Sequence, residues 1–272
     1  MLKSAFNFYI NSSIHVSLAV VSLAAITFQS FQLSFNVNLL IFIFLGSITG
    51  YNFVKYAGLA KLYYRKLATN LKVIQGFSLI AFLGFIYSCF FQPVSVLIVA
   101  GIMGLFTLLY AVPVFSKNRN LRALTGVKIY VIAFVWAGVT VLMPIADKMD
   151  LFQRDIFLEF LQRFCFIIAL TLPFEIRDLK FDLKQLRTIP QKIGVKKTKL
   201  LGLLLILVFV LLEFLKQHSD LAEVISVLIV GMITWIFLIN SSVNQKEYYS
   251  SFWVEGIPIM WWLILSILGM LI

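Results

Sequence analysis

Three acidic residues, Glu175, Asp178 and Asp182, stand within the run TLPFEIRDLKFDLKQLRTIPQKIG at 171–194. Their i, i+3, i+7 spacing places them on one face of a continuing helix. Asp178 and Asp182, four apart, would repel each other by about 0.2–0.5 kcal/mol there. A divalent cation turns that repulsion into coordination, and magnesium in particular takes carboxylates together with substrate phosphates. The competing reading is a solvated interfacial helix whose acids pair with Arg177, Lys180 and Lys184. Ion pairs of that structural kind are common, so spacing alone leaves both readings open.

Cations form the second chemical group. Lys55 sits among apolar residues at the end of an apolar run, where an unpaired charge is costly. Lys61, Arg65 and Lys66 follow it, and Lys117, Arg119 and Arg122 cluster after Tyr110. A lysine binds phosphate as a point charge, without metal. The alternative use of such loops is to set membrane topology and attract anionic lipid. Glu159 and Arg163 are four apart in the favourable order for a helix ion pair, which reads as structural. Glu255, near the start of the last apolar run, reads as interfacial or as facing the interior. His15 and His218 fall near run ends and take no catalytic role here.

The elements that must position these groups are apolar. Of 272 residues 61% are hydrophobic and 13% charged, where a soluble domain carries about 25% charged residues. Nine spans are predicted, at 12–31, 38–58, 73–91, 94–115, 126–146, 155–175, 199–216, 221–240 and 252–272. Each approaches the roughly 20 residues that cross a bilayer. None alternates with period two, which excludes a closed barrel. The expected fold is therefore all-α, a polytopic membrane protein with residues 1–272 as one integral-membrane domain. The first run reads as a retained span rather than a signal peptide. Cys89 and Cys165 lie inside apolar runs and offer neither a disulfide framework nor a zinc pattern.

The net charge of +11 is unevenly placed, and no acid precedes Asp147. Lys and Arg crowd the 2–3, 4–5 and 6–7 loops, while the 1–2 and 3–4 turns carry none. In a soluble protein such basicity would suggest nucleic acid; in a membrane protein it reads as orientation. The expectation is an inner-membrane protein with its N-terminus and basic loops cytoplasmic, its C-terminus outside, membrane lipid as a partner and no nucleic acid. The many aromatics, Trp253, Trp261 and Trp262 among them, are expected at lipid-facing and interfacial positions.

The nine-span pattern with its cytoplasmic cap loops resembles the UbiA-type intramembrane prenyltransferases over nearly the whole chain. The most specific part is E-I-R-D-L-K-F-D followed by R-T-I-P-Q-K-I-G, which is similar to the family's second acidic motif with Glu175 in place of its first Asp. The run TLLYAVPVFSKNRNLRALTGVKIYVIAFVWAG resembles the connection between its fourth and fifth helices, where Tyr110, Lys117, Arg119 and Arg122 would face a prenyl diphosphate. The family's first motif is missing: Asn52 remains, but Phe53, Tyr56 and Ala60 hold its three Asp places.

The resemblance implies transfer of a prenyl group from a polyprenyl diphosphate to an aromatic or lipid acceptor. It implies Mg2+ at one half-site only, held by Asp178 and Asp182 with Glu175 supporting. Asn52, Lys55, Tyr110, Lys117, Arg119 and Arg122 would hold the diphosphate, with Lys55 taking over part of a metal's work. The alternative is a catalytically inactive isoprenoid- or pigment-binding membrane protein of the same fold. A transporter ranks last, because no inverted pair of broken helices is visible.

Overall fold

In the computed structural model, which describes residues 2–56, 68–112, 126–181, 187–217 and 219–272, every regular element among the described residues is a helix. That is the form in which a lipid-embedded chain satisfies its own backbone polar groups. The helices are α1 (Leu2–Asn11), α2 (Ile14–Ser30), α3 (Val37–Tyr56), α4 (Ala68–Cys89) and α5 (Val94–Ala111). Next, α6 (Lys128–Ala137) passes through a π-helical turn (Gly138–Leu142) into α7 (Met143–Ile145). Then come α8 (Arg154–Asp178), α9 (Ile189–Glu213) and α10 (Leu221–Asn240), and a second π-helical turn (Tyr249–Val254) leading into α11 (Ile257–Leu271).

Among the described residues, seven helices are long and apolar enough to cross a membrane, or eight if the bent pair α1–α2 is one span. The chain is therefore an integral membrane protein, but the expected nine spans are not all met. The shortfall lies at 199–216: the observed helix starts ten residues earlier and carries Lys196, Lys197 and Lys199. Its uninterrupted apolar stretch, Leu200–Leu212, covers only about 20 Å at 1.5 Å per residue.

The run R-T-I-P-Q-K-I-G acquires a local explanation. Gln191 Oε1 accepts the Thr188 backbone N–H at 3.1 Å, and Pro190 sits in the first turn, where its missing N–H does no harm. Gly194 then adopts φ 77° and ψ 160°, which breaks the helix and is open almost only to glycine. At Gly202 a Cβ would strike the Leu238 and Leu172 side chains, so glycine lets α9 close onto its neighbours.

Residues before α2, expected only as a flank, form a helix of their own. A break at Ser12–Ser13 turns α1 by 55° relative to α2. α1 lies across the end of the bundle that carries the basic loops, with Phe6 against Phe252 at 5.2 Å and Phe8 against Phe77 at 5.6 Å. Tyr248 donates to Asn7 Oδ1 at 2.5 Å, and Tyr56 to the Asn11 carbonyl at 2.8 Å. His15, at the start of α2, lies between Tyr9 (Nδ1 to Oη, 2.7 Å) and the Phe252 carbonyl (Nε2 to O, 2.9 Å).

Towards the opposite end a charged cluster is sealed between helices. Arg163 is fully buried, with Nη2 at 2.5 Å from Glu159 Oε1 and Nη1 donating to the Leu23 carbonyl at 2.8 Å. Its guanidinium lies 5.0 Å from the centroid of the Trp261 ring. Lys216, in the connection after α9, donates to Glu159 Oε2 at 2.5 Å, Glu213 Oε2 at 2.7 Å and Gln162 Oε1 at 2.8 Å. Ser219 donates to Glu213 Oε1, and Gln162 Nε2 to Glu213 Oε2 at 2.7 Å. The Glu159–Arg163 pair is thus the core of a wider network. Trp261, expected at the lipid face, is buried and donates to Ser226 Oγ at 3.1 Å.

Candidate functional site

At the basic end, four elements bring their polar residues together. α3 contributes Tyr51, Asn52 and Lys55; α6 contributes Lys128 and Trp136; α8 contributes Glu175, Arg177 and Asp178; the turn before α11 contributes Glu255. Trp136 Nε1 donates to Tyr51 Oη at 2.5 Å, linking α6 to α3. Lys128 Nζ lies 2.9 Å from Glu175 Oε1, linking α6 to α8. The last π-helical turn, which leads to Glu255, packs against α8.

The expected acidic face is shorter than a continuing helix would make it. α8 ends at Asp178, with Leu179 as its cap, so only Glu175 and Asp178 lie on the helix, and Asp182 is outside the described residues. Glu175 is buried and paired with Lys128. Asp178 Oδ1 is 2.7 Å from Arg177 Nε, an adjacent pair anticipated from the sequence, whereas the Glu175 pairing crosses 47 positions. Among the described residues no three His, Cys, Asp or Glu side chains lie close enough to hold a metal ion. Glu175 and Asp178 are each paired with a cation, and the third expected ligand, Asp182, lies outside the described residues.

Asn52 is buried and fully engaged. It accepts from Ser13 Oγ at 2.8 Å, and its amide donates to the Ser12 carbonyl at 3.0 Å and to Ser78 Oγ at 2.8 Å. Both amide protons that could reach a phosphate are thereby used to brace the α1–α2 break against α3 and α4. Lys55, by contrast, is exposed, with Nζ donating to the Asn11 carbonyl at 3.1 Å. That bond is to a neutral carbonyl, so no carboxylate is paired with Lys55 at ion-pair distance among the described residues. Tyr110 is buried. Lys117, Arg119 and Arg122 lie outside the described residues.

Lys192 and Arg187 were expected only as loop charge. A Cβ built on Gly126 would lie 3.2 Å from Lys192 Nζ and 3.8 Å from the Arg187 carbonyl. The start of α9 therefore packs over the approach to α6, two residues from Lys128. Tyr51, Lys128 and Glu255 were not singled out as site residues. A Glu in an apolar helix is the signal that pointed to Glu255; the other two needed the packing.

The sequence matches no family model and no curated protein. Solved structures do share its fold. A UbiA homologue from Aeropyrum pernix K1 superposes with a TM-score of 0.67 at 13% identity, covering 95% of this chain and 98% of that one. The digeranylgeranylglyceryl phosphate synthase structure superposes with a TM-score of 0.60 at 15% identity, covering 99% and 100%. The chain thus has the UbiA-type membrane-helix fold from end to end.

Proposed function

We propose that this protein binds a polyprenyl diphosphate at its basic end and transfers the prenyl group to a hydrophobic acceptor, aromatic or lipid. The observation that carries this reading is the cationic set Lys55, Lys128 and Arg177 on three helices of a UbiA-type fold, with Lys55 in the stretch where the acidic motif is missing. The naming of one structural neighbour for digeranylgeranylglyceryl phosphate supports an isoprenoid substrate and a membrane setting. In this reading the basic end is cytoplasmic and the site lies at the membrane surface.

Charge neutralisation at the departing diphosphate is the main lever on such a transfer. Fixed ammonium and guanidinium groups supply it where metal ligands are lacking. Lys55, Lys128 and Arg177 hold the phosphates, joined by Lys117, Arg119 and Arg122. Tyr51 and Trp136, edge to face at 6.2 Å, offer aromatic surfaces to the allylic cation left behind.

The test is a titration of the purified, detergent-solubilised chain with geranylgeranyl diphosphate, in magnesium and in EDTA. Binding should persist in EDTA and weaken by about 10-fold or more in Lys55→Ala, the worth of one charged hydrogen bond. Binding that needs magnesium and Asp178 with Asp182, and ignores Lys55, would restore the metal half-site. No binding in either condition would refute the transferase reading.

A further inference from the structure

The loop after α10 joins two elements long and apolar enough to cross a membrane, Leu221–Asn240 and Tyr249–Leu271, so it lies at the membrane surface. Beside it is an open cleft of about 610 Å³, lined by Phe237, Lys246, Glu247, Tyr248, Tyr249 and Trp253. Phe237 stands in the last turn of α10 and Trp253 in the π-helical turn before α11. The cleft therefore runs from headgroup depth into the apolar layer.

Aromatic residues at a membrane surface are ordinary anchors, with the ring in lipid and the polar tip in water. The tyrosines here are used differently. Tyr249 Oη donates to the Phe237 carbonyl at 2.6 Å, and Tyr248 Oη to Asn7 Oδ1 at 2.5 Å. Both polar tips are thus turned to the protein. The rings are further held by neighbours: Tyr249 packs on Phe237 with centroids 5.6 Å apart, Tyr248 on Phe6 at 5.0 Å and Trp253 on Phe252 at 5.2 Å. Gln245 fixes the loop, accepting the Ser242 N–H at 3.4 Å and donating to Ser250 Oγ. The result is a concave aromatic surface set in place before anything binds, which lowers the cost of ordering a ligand there.

Lys246 and Glu247 supply the charges. Both are exposed, and among the described residues neither side chain has a hydrogen bond or an ion pair. A ligand matched to this pair carries both signs a few bonds apart. An anion alone would gain Lys246 but meet Glu247 with like charge. A cation among aromatic faces is attracted by their quadrupoles, which is how aromatic cages hold quaternary ammonium groups. A phospholipid headgroup that joins a phosphate to an ammonium has both charges, and the depth of the cleft is the depth of such headgroups.

We infer that this cleft is a binding site for one zwitterionic phospholipid. Its ammonium sits among Tyr248, Tyr249 and Trp253 beside Glu247, its phosphate meets Lys246, and the start of its acyl chains follows Phe237 along α10. The site differs from the basic loops, whose unbalanced charge attracts anionic lipid. It does not depend on the transferase reading.

The experiment titrates the full chain in mild detergent with dioleoyl phosphatidylcholine and with dioleoyl phosphatidylglycerol, which differ only in the headgroup, and counts bound lipid by native mass spectrometry. Wild type should hold one phosphatidylcholine about 5-fold or more tightly than phosphatidylglycerol. Trp253→Leu keeps apolar bulk but removes the ring, and should weaken phosphatidylcholine by about 5-fold. With 55% of its surface exposed, Trp253 can be replaced without opening the core. Glu247→Gln should lower phosphatidylcholine binding and abolish the headgroup preference. Tyr87→Leu, at an exposed aromatic at the opposite end of the bundle, controls for general lipid contact and should bind as wild type does. Equal binding of the two lipids by wild type, preference for phosphatidylglycerol, or no retained lipid would overturn the assignment. So would unchanged binding in Trp253→Leu, an equal loss in Tyr87→Leu, or a preference that survives Glu247→Gln.

Discussion

Replacing Lys216 by Met removes the ammonium that Glu159 and Glu213 share. The wild-type side chain is 9% exposed and makes three bonds, of 2.5, 2.7 and 2.8 Å, to Glu159, Glu213 and Gln162. Met has similar bulk, so the perturbation is chiefly the lost charge. Glu159 then keeps Arg163, but Glu213 keeps only neutral donors, Ser219 and Gln162, in a buried position. Leaving one member of a buried ion pair uncompensated costs about 3–5 kcal/mol. Glu213→Gln removes a charge but keeps an oxygen for Ser219, so its cost should be smaller, about 1.5–3 kcal/mol. The double variant should be more stable than the sum of the two, with a coupling of about 0.5–3 kcal/mol. Equilibrium unfolding in mixed micelles of mild and denaturing detergent measures all three. The pH dependence has a defined sign. Burial lowers the affinity of Lys216 for its proton, but Glu159 and Glu213 outweigh burial and hold the ammonium above its ordinary value of 10.5. A group raised on folding stabilises below its unfolded value and loses that contribution as pH rises through the folded one. Wild type should therefore lose stability above about pH 10.5 in a step that Lys216→Met lacks. A cost below about 1 kcal/mol, as for exposed pairs, would refute the view that this cluster is sealed from water.

Other perturbations test single features. Gly194→Ala should cost about 1–3 kcal/mol in the same unfolding assay, because φ 77° strains any residue with a Cβ although nothing lies within 4 Å of one there. Asn52→Ala should lower stability by about 2 kcal/mol or more, since it strips partners from Ser12, Ser13 and Ser78; an unchanged unfolding midpoint would contradict the bracing role. Trp136→Phe should cost about 1 kcal/mol and loosen Tyr51, visible as a change in tyrosine fluorescence anisotropy.

Apolar run lengths made most of the membrane helices legible in the sequence, and eight of the nine expected spans coincide with long helices or with the bent pair. The ninth, 199–216, lies on the helix Ile189–Glu213 as well, but the four lysines on that helix keep it from counting among those apolar enough to cross a membrane. Glu159–Arg163 could be read because four residues separate the partners within one helix. Lys216 and Glu213 join them from another helix, and only the rotational phase of packed helices decides that. The same holds at the basic end, where Glu175 meets Lys128 instead of a near neighbour. The π-helical turns left no mark in the pattern, because one extra residue per turn changes direction without changing hydropathy. α1 was hidden by its shortness, and its partners, Phe77, Tyr248 and Phe252, lie far along the chain.

The hydrogen bond from His15 to the Phe252 carbonyl spans 237 positions, and the bond from Gln29 to Ser266 spans as many. Together they seat α11 against α2, so the bundle is a closed ring whose first and last members touch. Contacts between elements so distant in sequence form late, because a long loop must close before they reward it. During synthesis α2 reaches the bilayer with one flank bare and waits there until α11 has been made. Polar groups along that flank, Gln29 and His15 among them, lack their distant partners through that interval. They are where a membrane chaperone or a protease would sense an unfinished copy, and where a substitution that slows the docking of α11 would lower abundance before it altered any chemistry.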